Sequence, residues 1–251
     1  MRKLMCLGAA MGLSVSVWGQ TNLQVFYDFG KDRKQITTTF EMFKIDDWGD
    51  TFFFIDHDFR TRSNGNNPSL EAGNEAPYGT YFEIARSLCF WQNTKWAPVS
   101  LHVEYNGGVY DQYYVNNAWL FGVNYGLASA DFRNTLTLQL LYKTIAKTSS
   151  KVPMQLTAVW GCRDIFGVKG LSFSGFADFW WQDHVAFKDD DYSKPISKSC
   201  TFITEPQVWY NAGALFGCNN LSIGTEIELS NDFGTYDGFR CNPCLGLKWN
   251  F

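Results

Sequence analysis

Beyond its opening residues the chain has no run approaching the ~18 consecutive apolar residues that a membrane-crossing helix needs, so no helical span is expected. It lacks a basic excess: 21 Lys and Arg stand against 25 Asp and Glu, a net charge of −4. That balance argues against nucleic acid as a partner. Only three histidines are present, and the Cys241/Cys244 pair has no second CxxC to complete a zinc site. On one extended strand those two thiols would point to opposite faces, so no metal or other cofactor is expected. No internal repeat, linker or low-complexity segment divides the chain.

The first residues specify export. Arg2 and Lys3 precede an apolar run from Leu4 to Val17, and Val17-Trp18-Gly19 ahead of Gln20 suits a signal-peptide cleavage site. Residues 1–19 are therefore expected to be a signal peptide that takes Cys6 with it, and residues 20–251 the exported domain. Without Arg2 and Lys3 that domain is more acidic still. Its cysteines are Cys89, Cys162, Cys200, Cys218, Cys241 and Cys244, an even number whose pairing sequence leaves open.

What the chain does have is aromatic content of 18% and strict alternation. Its mean hydropathy of −0.21 resembles that of a soluble domain, but a transmembrane β-barrel gives only every second strand residue to lipid. Val99, Leu101, Val103 and Tyr105 interleave with Ser100, His102, Glu104 and Asn106. Trp119, Phe121, Val123, Tyr125 and Leu127 interleave with Gly122, Asn124 and Gly126, and Leu221, Ile223, Ile227 and Leu229 with Ser222, Gly224, Glu226 and Glu228. Strands are predicted at 22–29, 36–45, 51–61, 79–90, 96–106, 118–129, 135–144, 152–163, 171–183, 201–211, 221–230 and 243–251. Most have the ~9 to 11 residues that a tilted strand needs to cross hydrocarbon. Short and long connections alternate, the short first loop at 30–35 excepted. The chain closes on Leu245, Leu247, Trp249 and Phe251 at alternate positions, the lipid face of a strand that would pair with the first.

The fold expected is an all-β, antiparallel transmembrane barrel of about twelve strands in a bacterial outer membrane, acting as a monomer. A soluble sandwich also alternates but gives no reason for the apolar, aromatic end or the loop pattern. The opposite faces of these strands form the expected lumen: Phe54, Asp56, Asp58, Arg60, Tyr81, Glu83, His102, Glu104, Lys143, Arg163, Asp178, Trp180, Glu205, Trp209, Glu226 and Glu228, with Gln139, Gln182, Gln207, Lys248 and Asn250 among them. Acids outnumber bases in this set, which suits neutral polar or cationic solutes. Phe54, Tyr81, Trp180 and Trp209 could stack on a flat ring, or simply fill the interior as in small packed barrels. His57 and Arg86 fall on the lipid face, which implies a bulge or a place near an interface.

Hydrolase chemistry has one opening, Ser100 and His102 on a shared face, but no orienting group accompanies them. His57 lies on the face opposite Asp56 and Asp58. No enzyme activity is expected. The remaining alternative is a structural or surface-recognition barrel with a blocked pore, binding through the loops from Arg62 to Tyr78 and from His184 to Ser199.

The stretches FEMFKIDDWGDTFFFIDHDF, TYFEIARSLCF, DIFGVKGLSFSGFADFWW and LGLKWNF resemble, in order and approximate spacing, segments of the Tsx family of nucleoside-specific channel-forming outer-membrane proteins. The resemblance implies a twelve-stranded monomeric barrel passing nucleosides by passive diffusion, with Asp47, Trp48, Asp56, Glu83 and Asp178 on the matching positions. It also implies recognition of the final strand, ending in Phe251, by the barrel-assembly machinery. The many cysteines and the loops depart from that pattern.

Overall fold

The structure is a computed structural model, which describes residues 20–31, 33–60, 77–111, 114–188 and 191–251. The expected signal peptide and most of the 62–78 loop lie outside those residues. Thirteen antiparallel strands follow in chain order: β1 (Gln20–Asp28), β2 (Ile36–Asp46), β3 (Gly49–Phe59), β4 (Pro77–Leu88), β5 (Val99–Tyr110), β6 (Tyr114–Ala128), β7 (Asn134–Ile145), β8 (Met154–Arg163), β9 (Leu171–Ala186), β10 (Ile196–Thr204), β11 (Gln207–Tyr210), β12 (Leu221–Asn231) and β13 (Phe239–Asn250). Each pairs with its neighbours and β1 pairs with β13, from Asn22 opposite Asn250 to Asp28 opposite Cys244. The sheet is closed, and its backbone groups are satisfied without an edge.

β10 and β11 are one stave. Thr204 faces Ala177 and Gln207 faces Ser174, three residues on along each strand, and the same holds against Leu229 and Glu226 of β12. Register is unchanged across the gap; the ladder lapses only at Glu205-Pro206, because proline has no N–H to donate. The barrel therefore has twelve staves, the number read from the alternation. The tenth begins at Ile196 rather than near 201.

The regular alternation of short and long connections does not hold. β5 and β6 run on to Tyr110 and Tyr114, where the sequence suggested a longer loop, while the turn at 89–98 on the opposite end is longer than predicted. A bulge between Asn106 and Gly108 keeps β5 and β6 paired beyond the alternating stretch.

The two faces invert the pattern of a soluble protein. Leu101, Phe121, Val123, Leu138, Leu140, Leu156, Ile223, Leu245, Leu247 and Trp249 are exposed, while Asn22, Gln24, Glu41, His102, Asn124, Gln155, Gln207 and Glu228 are buried. Apolar side chains outside and polar ones inside are what a hydrocarbon solvent selects. At the end carrying Gln20 and Phe251, every turn presents an exposed aromatic ring: Trp48, Phe90 and Trp96, Phe132, Phe166 and Phe216, joined by Phe251 itself. Such a girdle belongs at headgroup depth, where an amphipathic or polarisable ring is best accommodated. Phe251 is fixed there by its backbone N–H, which donates to the Thr21 carbonyl at 2.9 Å.

His57 and Arg86 lie near the ends of their strands, at opposite ends of the β3–β4 ladder, with no bulge before either to reset the faces. Arg86 donates to Asp46 at 2.8 Å and to Thr51 at 2.9 Å beside the β2–β3 turn, and His57 lies 2.9 Å from the Thr80 hydroxyl near the far end of β3. Cys241 is exposed and Cys244 buried, on opposite faces as expected, and Cys162, Cys200 and Cys218 are also free thiols.

Candidate functional site: the barrel lumen

The inward residues gather into two groups on opposing walls, since side chains two apart on one strand, and in register on adjacent strands, share a face. The first spans β3–β5 and β7–β9. Phe54 and Tyr81 pack with ring centroids 6.0 Å apart, and the Tyr81 hydroxyl donates to Glu83 at 2.5 Å. Asn106 donates to Glu104 at 3.1 Å, and Thr157 to Asp178 at 2.5 Å. The Lys143 ammonium lies 2.6 Å from the Gln155 carbonyl oxygen and 4.0 Å from the centre of the Trp180 ring. Glu83, Glu104, Asp178 and Lys143 of this group come from β4, β5, β9 and β7.

The second group spans β1–β3 and β11–β13. Asn22 donates to Glu41 at 2.8 Å, Thr39 to Asp56 at 2.5 Å, and Tyr110 to Asp58 at 3.0 Å. Gln207 bridges Glu226 and Trp209: its amide donates to the carboxylate, and its carbonyl oxygen accepts the indole N–H at 2.8 Å. Lys248 lies 4.1 Å from the centre of the Trp209 ring. The same device holds Trp180, whose indole N–H donates to Gln182 at 2.9 Å. Both tryptophans thus have an ammonium on the ring and a glutamine two residues away on the N–H.

That arrangement separates the expected aromatic positions. Trp180 and Trp209 are 7% and 3% exposed and already carry a cation–π partner, so they line the wall as built-in pairs. Phe54 and Tyr81 remain partly exposed.

Other expected positions divide similarly. Asp58, His102 and Glu228 are buried in the wall, while Arg60 sits at the far mouth, 2.6 Å from Asp111 and over the Tyr78 ring. Glu205 faces inward at the β10–β11 break. Arg163 lies at the end of β8 near the termini, donating to the Phe132 carbonyl at 3.0 Å rather than into the bore. Asp47 and Trp48 form the β2–β3 turn, outside the lumen. The His102 ring nitrogens face Glu104 at 3.3 Å and Asn124 at 3.2 Å rather than Ser100.

Sequence reasoning missed three features. Arg33, in the short loop after β1, turns into the mouth and pairs with Glu228 at 2.6 Å and Asp28 at 3.4 Å; nothing in GKDRKQ signals a side chain reaching β12. Leu120 and Leu141 face inward and are fully buried with Ala118, an apolar patch hidden within apolar runs. At the far mouth the loops after β9 and β12 are tied together. Phe187 donates its N–H to Thr235 at 2.8 Å, Phe233 packs edge-on against Trp180, and Asp232 accepts from Lys198 at 2.8 Å and from the Gly238 N–H at 2.8 Å. Burial works against the Asp232 carboxylate, but those donors hold it below the ordinary carboxylate range.

Comparison with known proteins gives the fold and a family. The family model DUF5020, described as a domain of unknown function, matches residues 20–251. A structure of the NanC porin is similar at a TM-score of 0.54 and 7% identity, covering 92% of this chain and all of that one. Pseudomonas aeruginosa OccK2 (OpdF) in complex with glucuronate follows at 0.41 and 10% identity, covering 93% of this chain and 97% of that one. Salmonella typhi OmpF in complex with daunomycin gives 0.40 and 9%, with 93% and 96% covered. No curated protein matches the chain in sequence.

Proposed function

The chain belongs to the DUF5020 family, and we propose that it is a passive outer-membrane channel for small polar solutes, with nucleosides as the leading solute class. The observation that carries this reading is the inversion of faces: an apolar wall with an aromatic girdle surrounds a bore lined by hydrogen-bonded carboxylates and amides. The porin fold supports a conducting role. Nucleosides are favoured by the partly exposed Phe54 and Tyr81, which offer π faces between Asp56 and Glu83. A base gains ~1 to 3 kcal/mol by stacking on such a ring, and carboxylates accept hydrogen bonds from ribose hydroxyls.

The test is uptake of radiolabelled nucleosides, sugars and amino acids into proteoliposomes carrying the folded protein. Selective nucleoside entry, reduced several-fold in Tyr81→Ala while general permeation persists, is the expected result. Entry of all three classes alike supports a general porin and removes the nucleoside assignment.

One observation favours a second reading, a surface barrel with a closed pore. At the far mouth Phe187 is tied to Thr235, Phe233 packs on Trp180, and Arg33 pairs with Glu228, contacts that a closed mouth would use. Absence of any conductance from demonstrably folded protein would establish that reading and overturn the channel.

A further inference from the structure

We propose that the outer wall near the chain termini carries a specific site for a phosphoethanolamine phospholipid. A cavity of about 710 Å³ opens on the outside of β8, β9 and β11, with Cys162, Phe173 and Val208 on its apolar floor. Arg133 and Arg163 line it together with Asp131 and Asp164. The apolar part is continuous with the belt of exposed side chains that faces lipid, and the charged part lies at the level of the aromatic girdle. One molecule that is apolar below and doubly charged above fits both: acyl chain on Phe173 and Val208, headgroup among the four charges.

The arrangement of those charges selects the headgroup. Arg163 commits one terminal nitrogen to the Phe132 carbonyl at 3.0 Å, and Arg133 has its Nε 3.4 Å from Asp131. Among the described residues no other partner takes the remaining guanidinium N–H groups, which suit the two oxygens of a phosphodiester. Asp131 is already paired with Arg133, but Asp164 uses only one carboxylate oxygen, to accept from the Gly170 N–H at 2.8 Å, leaving the other for a primary ammonium. Free guanidinium donors beside one open carboxylate match a zwitterion that can donate hydrogen bonds. A choline headgroup has no N–H to offer, and a glycerol headgroup would leave Asp164 without a cation.

The backbone carries an independent mark of construction. Phe166 and Asp164, which line the cavity, have φ of 55° and 52°, and Phe132 in the adjoining turn has φ 54°. Bulky residues avoid this left-handed region, and such strain concentrates at functional positions. Here it occurs at two residues of the cavity lining and at Phe132, beside Arg133 in sequence, with Phe166 almost fully exposed at 93%.

This inference rests on the barrel being embedded in a membrane, not on its lumen passing a solute, so a failed uptake assay leaves it standing. The experiment is native mass spectrometry of the detergent-released barrel titrated with dioleoyl phosphatidylethanolamine, phosphatidylcholine or phosphatidylglycerol, with inorganic phosphate as competitor. The expected result is several-fold stronger retention of the ethanolamine lipid. Arg133→Ala should weaken all three lipids by roughly two- to fivefold, the scale of an exposed ion pair, and Asp164→Asn should erase the preference for ethanolamine alone. Phe166→Ser, which relieves no charge, should weaken retention without changing the order of preference. Equal retention of the three lipids, unchanged preference in Asp164→Asn, or displacement by phosphate alone would overturn the proposal. A heat-modifiable gel shift confirms that each variant is folded.

Discussion

At the scale of single residues the lumen is organised by what lies over each tryptophan. Trp209 is possible only because β12 and β13 offer glycine beneath it: a Cβ on Gly224 would come within 2.4 Å of the indole, and one on Gly246 within 2.6 Å of the Phe26 ring and 3.1 Å of Trp209. Gly224→Ala should therefore overpack the wall and destabilise the barrel by about 1 to 3 kcal/mol, read as a lowered urea midpoint in lipid vesicles. Trp180, Trp209, Lys143 and Lys248 were all legible in sequence as inward residues, but which lysine covers which ring was not. Lys143 and Trp180 come from β7 and β9, with β8 between, and Lys248 and Trp209 from β13 and β11, with β12 between. Pairings across an intervening strand depend on two registers at once, which local alternation does not supply.

Among elements, the strands were readable because period-2 patterning is local, and most predicted bounds agree with the structure to within a few residues. Where it failed, a non-local contact is present: the β5–β6 hairpin extends through a bulge, and the short first loop sends Arg33 to Glu228 on β12. The interruption between β10 and β11 is a proline effect and can be tested directly. Pro206→Thr restores an N–H to a stave already in register, so amide exchange around 205–208 should slow, with a gain bounded by the ~0.5 to 1.5 kcal/mol of one hydrogen bond less the entropy that proline saves. The loop after β12 gives a pH prediction. Asp232 is depressed below the usual carboxylate range, so its contribution is present above the unfolded value near 4 and is lost as pH falls through the folded one. Exchange of the Gly238 amide, which Asp232 accepts, should accelerate selectively below about pH 4, and Asp232→Asn should remove that acid-dependent acceleration.

For the molecule as a whole, the excess of inward carboxylates over Arg33, Lys143 and Lys248 predicts a cation-selective pore. In planar bilayers under a KCl gradient the reversal potential should favour K⁺, shift toward neutrality in Glu83→Gln/Glu226→Gln, and lose selectivity near 1 M salt, where the screening length falls to about 3 Å. Anion selectivity would contradict the reading of the lumen. The closed ladder from β1 to β13 has a further bearing on how such a pore can change. A sheet with two edges can open, slide or add a strand, but a ring of hydrogen bonds has no free partner to give up, so its width is fixed by its strand number and stagger. Solute range can then be adjusted only by the side chains projecting into the bore, while those projecting outward answer to the bilayer alone. The two sets occupy alternate letters of the same strands, so one sequence can be tuned for membrane and for cargo almost independently.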